Sequence, residues 1–179
     1  MSANRIGLVP RIIASIIDGL IVFIPAVILM MILPGYLGKL LLFGAVIAYG
    51  YLDVLNGATP GKQIVKLGIR QPDGAAASHE QLTKRYMVKQ LPNAACFAAA
   101  LFGFIPYLGT FLMLLASLFA LAYAVYSVSL VIKPAAQAYH DQYAGTAVYN
   151  VEELATAGNP PVAPSAYGSE ANAGLPPVR

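Results

Sequence analysis

The chain has 179 residues and a formal net charge of +3, with 11% charged and 58% hydrophobic residues. Ordinary soluble domains carry about 25% charged residues, and the mean hydropathy here is +0.67. These values exclude a soluble globular enzyme, a disordered protein and a basic nucleic-acid binder. They point to the lipid bilayer as the principal partner.

Four apolar segments order the chain. The first runs from about Ile6 to Leu33 and contains Arg11 and Asp18. Its uncharged stretch Gly19–Leu33 is longer than a signal peptide needs, and no small-residue cleavage site follows, so a retained helix is expected. The second covers about Tyr36–Leu55, with Lys39 at its start and Asp53 near its end. The third, about Leu91–Pro106, reaches the roughly 20 residues of a span only if its helix enters from Tyr86. The fourth, about Tyr107–Ile132, carries no charge. Pro34-Gly35 and Pro106-Tyr107-Leu108-Gly109 mark tight turns. The expected architecture is an all-α membrane protein with about four transmembrane helices in two hairpins.

Lysine and arginine set the expected orientation. In a four-span arrangement Arg5, Arg11, Lys62, Lys66, Arg70, Lys84, Arg85, Lys89, Lys133 and Arg179 share one side, and the other side holds only Lys39. The positive-inside rule places both ends of the chain in the cytoplasm. A multi-pass protein of a bacterial cytoplasmic (inner) membrane is expected.

The loop Asn56–Gln90 has local patterns of its own. Val65, Leu67 and Ile69 alternate with Lys66, Gly68 and Arg70, which predicts a short half-buried strand. Pro72-Asp73-Gly74 supplies a turn. Ser78 and Gln81 have capping-box spacing. Along the helix they open, Lys84, Arg85 and Lys89 accompany Leu82, Tyr86 and Met87. Two readings stand: an interfacial helix resting on anionic lipid headgroups before dipping into the third span, or a solvated basic loop that fixes topology. After Asn150 the composition turns to Ala, Gly and Pro without periodicity. Residues 1–150 therefore read as the transmembrane domain and 151–179 as a disordered cytoplasmic tail. Its Pro161-Val162-Ala163-Pro164 fits PxxP, a common pattern in such tails.

The polar residues inside the apolar frame are the candidate site. Ionisable groups in a membrane helix are costly unless paired or hydrated. Arg11, Ser15 and Asp18 recur at helical spacing beside small residues. Asp18 needs compensation from Arg11, another helix, water or a proton. Asn56-Gly57-Ala58-Thr59-Pro60-Gly61-Lys62-Gln63 does not fit a phosphate-binding loop, because only three residues separate the glycines and Gln63 follows the lysine. It reads as a tight turn with Lys62 facing headgroups or a partner carboxylate. His140-Asp141 follows the fourth span, and His79 stands alone. No catalytic or metal-binding spacing is present, so no enzymatic activity, metal or cofactor is expected. Cys96 sits in an alanine-rich run, where a packed thiol is expected. Ala95, Ala99 and Gly103, and likewise Ala116, Ala120 and Ala124, form small-residue faces for close helix approach, within the chain or in a homo-oligomer.

Arg11 with Ile12-Ile13-Ala14 and Asp18, then Gly57-x-Thr59-Pro60-Gly61-Lys62, then His140-Asp141 with Gly145-Thr146, resemble the RDD family of bacterial membrane proteins. The resemblance covers about residues 5–150. The arginine and two aspartates of the family name fall on Arg11, Asp18 and Asp141. Asp53 is not a signature residue, and Ile69 and Arg70 depart from a more apolar loop strand. The resemblance implies transport of ions or small ligands, with sodium/proton exchange attributed to some members. Two functional expectations follow. One is a small ion or solute transporter using Asp18, with Arg11 and Asp141 setting its charge balance. The other is a non-catalytic accessory or scaffold subunit, in which the charged residues form a clasp. A homo-oligomer or membership of a larger membrane complex is expected in either case.

Overall fold

A computed structural model describes residues 5–33 and 35–156. The elements are α1 (Leu8–Ile32), α2 (Gly35–Gly50), α3 (Leu52–Asn56), α4 (Pro60–Ile64), β1 (Leu67–Arg70), α5 (His79–Leu101), α6 (Pro106–Val131), α7 (Tyr139–Ala144), β2 (Ala147–Asn150) and α8 (Val151–Thr156).

Long apolar runs without internal charge pairs make helices because a helix satisfies its own backbone polar groups in lipid. Three helices are long and apolar enough to cross a bilayer: Leu8–Ile32, Gly35–Asn56 and Pro106–Val131. Their outer faces are exposed, with Ile16, Leu20 and Phe23 on α1 and Phe111, Leu118 and Val125 on α6 facing outward. In water such a surface would drive aggregation, whereas in lipid it is the solvated face.

The expected third span differs in form. α5 is one 23-residue helix from His79 to Leu101, and its Lys84, Arg85 and Lys89 keep it from being a uniformly apolar span. It nevertheless lies antiparallel along α2. Tyr86 Oη donates to the Ile47 carbonyl at 2.9 Å and Gln90 Nε2 to the Val46 carbonyl at 3.3 Å. Further along, Phe97 lies beside Gly44, and Tyr36 beside Gly103 just past the helix end. The packed row is α1–α2–α5–α6. Cys96 and Ala99 of α5 meet Ala116 of α6, with Phe43 of α2 against them. The small residues here serve approach within the chain, while Ala124 remains exposed. Cys96 is buried, as expected.

The basic stretch opened by Ser78 is the first half of α5 and runs on into the apolar half as one helix, and Arg85 on it is 2% exposed. The capping box is present, with Gln81 N donating to Ser78 Oγ at 3.2 Å and Ser78 N to Gln81 Oε1 at 2.9 Å.

The predicted strand forms as β1, but all four of its residues are buried rather than half of them. The reason is a partner that lies far away in sequence. β2 pairs antiparallel with β1, Leu67 opposite Asn150 and Arg70 opposite Ala147. Val54, Ile69, Ala77 and Leu82 pack into one cluster, and Leu67, Val148 and Ala14 into a second. The second cluster fixes the small cap onto α1.

The boundary placed at 150 falls between β2 and α8. Val151–Thr156 is helical, and Leu154 packs at 1% exposure against Ala147 and Tyr149. The order therefore extends six residues into the stretch expected to be tail. The PxxP residues and Pro34 lie outside the described residues.

Candidate functional site

Three aspartates and four cations gather where the cap meets the long helices. Asp53 comes from α3, whose end is closed by Gly57 in the left-handed region at φ 66°. This turn returns the chain through Thr59 and Pro60 into α4, so Lys62 folds back onto Asp53. Lys62 Nζ donates to both Asp53 oxygens, at 2.6 and 2.7 Å. Arg85 Nη1 and Lys89 Nζ reach Asp53 Oδ2 at 3.0 and 2.7 Å.

Arg85 also joins the second aspartate, donating through Nε to Asp141 Oδ1 at 2.7 Å. Arg11 Nη1 donates to Asp141 Oδ2 at 2.7 Å, while its other nitrogens hold the Ala136 and Ile6 carbonyls. The chain Arg11–Asp141–Arg85–Asp53–Lys62 ties together α1, α7, α5, α3 and α4. Burial alone would raise the Asp141 carboxyl, but Arg85, His140 and Arg11 around it hold it well below the ordinary carboxylate range. Burial pushes His140 down to about 3, with Asp141 offsetting part of the fall. His140 is therefore neutral near pH 7, and its Nε2 lies 3.7 Å from Asp141 Oδ1. Its Nδ1 meets the Tyr123 hydroxyl at 3.2 Å. Burial likewise pushes Lys62 down to about 7, opposed by Asp53 and reinforced by Lys89 and Arg85.

Asp18 stands apart: of the compensators open to it, Arg11 serves Asp141 instead, and other elements of the chain supply its partners. Asp18 accepts from the Tyr49 hydroxyl at 2.7 Å, the Thr59 hydroxyl at 2.6 Å and the Gly61 backbone N–H at 2.7 Å. The Thr59-Pro60-Gly61 loop is the docking piece for α1. Any Cβ at position 61 would collide with the Ala14 carbonyl and the Asp18 carboxylate, so only glycine allows this approach.

A cavity of about 390 Å³ opens beside these groups, between α1 and α6. Arg11, Ser15, Asp18, Lys62 and His140 border it, and so do Arg85 and Lys89. Asp53 and Asp141 do not; they sit behind the cations that pair with them. Of the sequence-derived candidates, Arg11, Asp141 and His140 form one group, and Thr59, Pro60, Gly61 and Lys62 bridge it to Asp18. Ser15 borders the cavity but is exposed. Asp53, Arg85, Lys89 and Tyr49 were not among them. Asp53 carried the one available signal, a second carboxylate near the end of an apolar span. Among the described residues no three His, Cys, Asp or Glu come together as metal ligands.

No curated protein and no solved structure matches the chain significantly. The family model described as the RDD family matches residues 5–145, most of the chain. The apolar helices, the charged residues at the cap and this match agree, and the chain belongs to the RDD family of membrane proteins.

Proposed function

We propose that the protein is a non-enzymatic transporter of a small ion or solute, with Asp18 as the group that takes up and releases a proton; cation/proton exchange is its sharpest form. The observation that carries this reading is the contrast among the aspartates. Asp18 alone borders the cavity, and uncharged donors alone hold it. Protonating Asp53 or Asp141 would strand buried cations, whereas protonating Asp18 breaks no ion pair. In this reading the chain crosses the cytoplasmic membrane of a bacterium four times. Its basic cap and both ends lie in the cytoplasm, and a homo-oligomer thickens the thin wall of four helices.

Proteoliposomes test it. Wild-type protein is expected to collapse an imposed pH gradient when a monovalent cation gradient is supplied. Asp18→Asn, still folded, is expected to abolish that response. Fusions of a reporter after Gly35 and after Asn150, active only outside and only inside respectively, test the orientation.

The accessory reading draws on a different observation. The Arg11–Asp141–Arg85–Asp53–Lys62 chain is a clasp that requires no substrate. A wild-type protein that moves no cation under either gradient leaves this reading in place of transport.

A further inference from the structure

The cavity wall is unbalanced in charge. Arg11, Lys62, Arg85 and Lys89 bring up to four positive charges to it, and Asp18 is the one carboxylate on the wall. Even counting Asp53 and Asp141 behind them, cations outnumber carboxylates. Several donors are also unused. Lys89 spends one of its N–H groups on Asp53, and Arg85 bonds through Nε and Nη1, leaving Nη2 without a partner among the described residues. Ser127 of α6 is more than nine-tenths buried and borders the same cavity, and its Oγ makes no hydrogen bond of good geometry among the described residues, Tyr123 one turn before it being a weak alternative. A buried hydroxyl left unpaired is costly, and an acceptor in the cavity would satisfy it. A surplus of cations together with an orphan donor describes an oxyanion site.

The mouth says which oxyanion. Ile12 and Ile16 on α1 and Val128 on α6 border the cavity and are 46%, 57% and 42% exposed. The opening is thus sideways and apolar, between two helices whose outer faces suit lipid. Basic pockets between membrane helices suit phospholipid headgroups. We propose that the cleft between α1 and α6 binds one anionic phospholipid, its phosphate against Arg85, Lys89 and Ser127 and an acyl chain along Ile12, Ile16 and Val128. The lipid neutralises the surplus charge beside Asp18. This binding does not depend on transport.

Native mass spectrometry of the full chain in detergent tests the proposal, by titration with phosphatidylglycerol and phosphatidylcholine of equal chain length. Phosphatidylglycerol is expected to bind about tenfold more tightly, because both heads offer the phosphate but only the choline head adds a cation that the basic wall repels. Lys89→Gln and Ser127→Val should each weaken it several-fold. Ile16→Trp, on an exposed position, should narrow the mouth and weaken it as well. Lys84→Gln, on an exposed ion pair with Glu80, should change nothing. Equal binding of the two lipids, or an equal loss in Lys84→Gln and Lys89→Gln, would overturn the proposal. Displacement of the lipid by inorganic phosphate alone would assign the cleft to a free oxyanion and overturn the lipid assignment.

Discussion

Asp53 receives Lys62, Arg85 and Lys89, and Asp141 receives Arg11 and Arg85, all within 3.0 Å. Asp18, bound to the same cap through Thr59 and Gly61, receives two hydroxyls and a backbone amide. The same side chain is therefore used in two ways within one small region. Where cations surround the carboxylate, its charge is part of the fold, and removing it leaves buried charge behind. Where neutral donors surround it, removing the charge leaves no buried cation behind. The apolar frame is common to both, and the difference lies in partners and in burial: Asp53 and Asp141 are fully buried, whereas Asp18 stands on the cavity wall.

The comparison is broken most forcefully at Asp141. Asp141→Asn strips Arg11 and Arg85 of a shared counter-ion, and loss of one member of a buried pair costs about 3–5 kcal/mol. Unfolding in detergent is expected to show that loss. Arg11→Ala combined with Asp141→Asn should cost clearly less than the two separately. Arg11→Ala combined with Asp18→Asn should be additive, because the two residues share no partner.

Acid acts on the same cluster and comes next in size. His140 is held down to about 3, so between its ordinary pKa near 6.5 and that value the unfolded chain binds a proton that the folded one does not. Asp141 is held below its ordinary value of 3.8, so its contribution is full above about 3.8 and is lost progressively as the pH falls from there toward the lower value. Both effects lower stability on acidification. The His140 share is at most about 1.4 kcal/mol per pH unit. Thermal melts from pH 7 to about pH 4 should fall, and His140→Gln should flatten the upper part of that slope.

Asp18→Asn should be smaller, roughly 1–2 kcal/mol, since Asn keeps an acceptor but cannot satisfy all three donors. A loss as large as that of Asp141→Asn would erase the distinction. The exposed Lys84–Glu80 pair marks the floor: Glu80→Ala should leave the same melts nearly unchanged.

The long helices were legible because apolar runs and turn residues act over short distances. The capping box at Ser78 was legible for the same reason. β2 was not, because Ala147–Asn150 acquires strand character only by pairing with Leu67–Arg70 nearly eighty residues earlier. α8 hid in the same way, since Leu154 is one apolar residue whose partners, Ala147 and Tyr149, exist only once β2 has formed. At the site, Arg11, Asp18 and Asp141 stood out as charges in apolar surroundings, but sequence spacing left the partner of Asp18 open among Arg11, another helix, water and a proton. Arg11 and Asp18 share a helix seven positions apart, yet Arg11 reaches Asp141 across 130 positions. Arg85 and Lys89 looked like surface residues because their partner Asp53 lies on another helix, 32 and 36 positions away.

The proposed role separates Asp18 from Asp53 and Asp141, and infrared difference spectroscopy of the reconstituted protein reads that separation by following carboxyl C=O bands as a monovalent cation is added. One carboxyl band is expected to respond to the cation in the wild type and to vanish in Asp18→Asn. A band that survives Asp18→Asn, or no responding band at all, would sink the proposed role of Asp18.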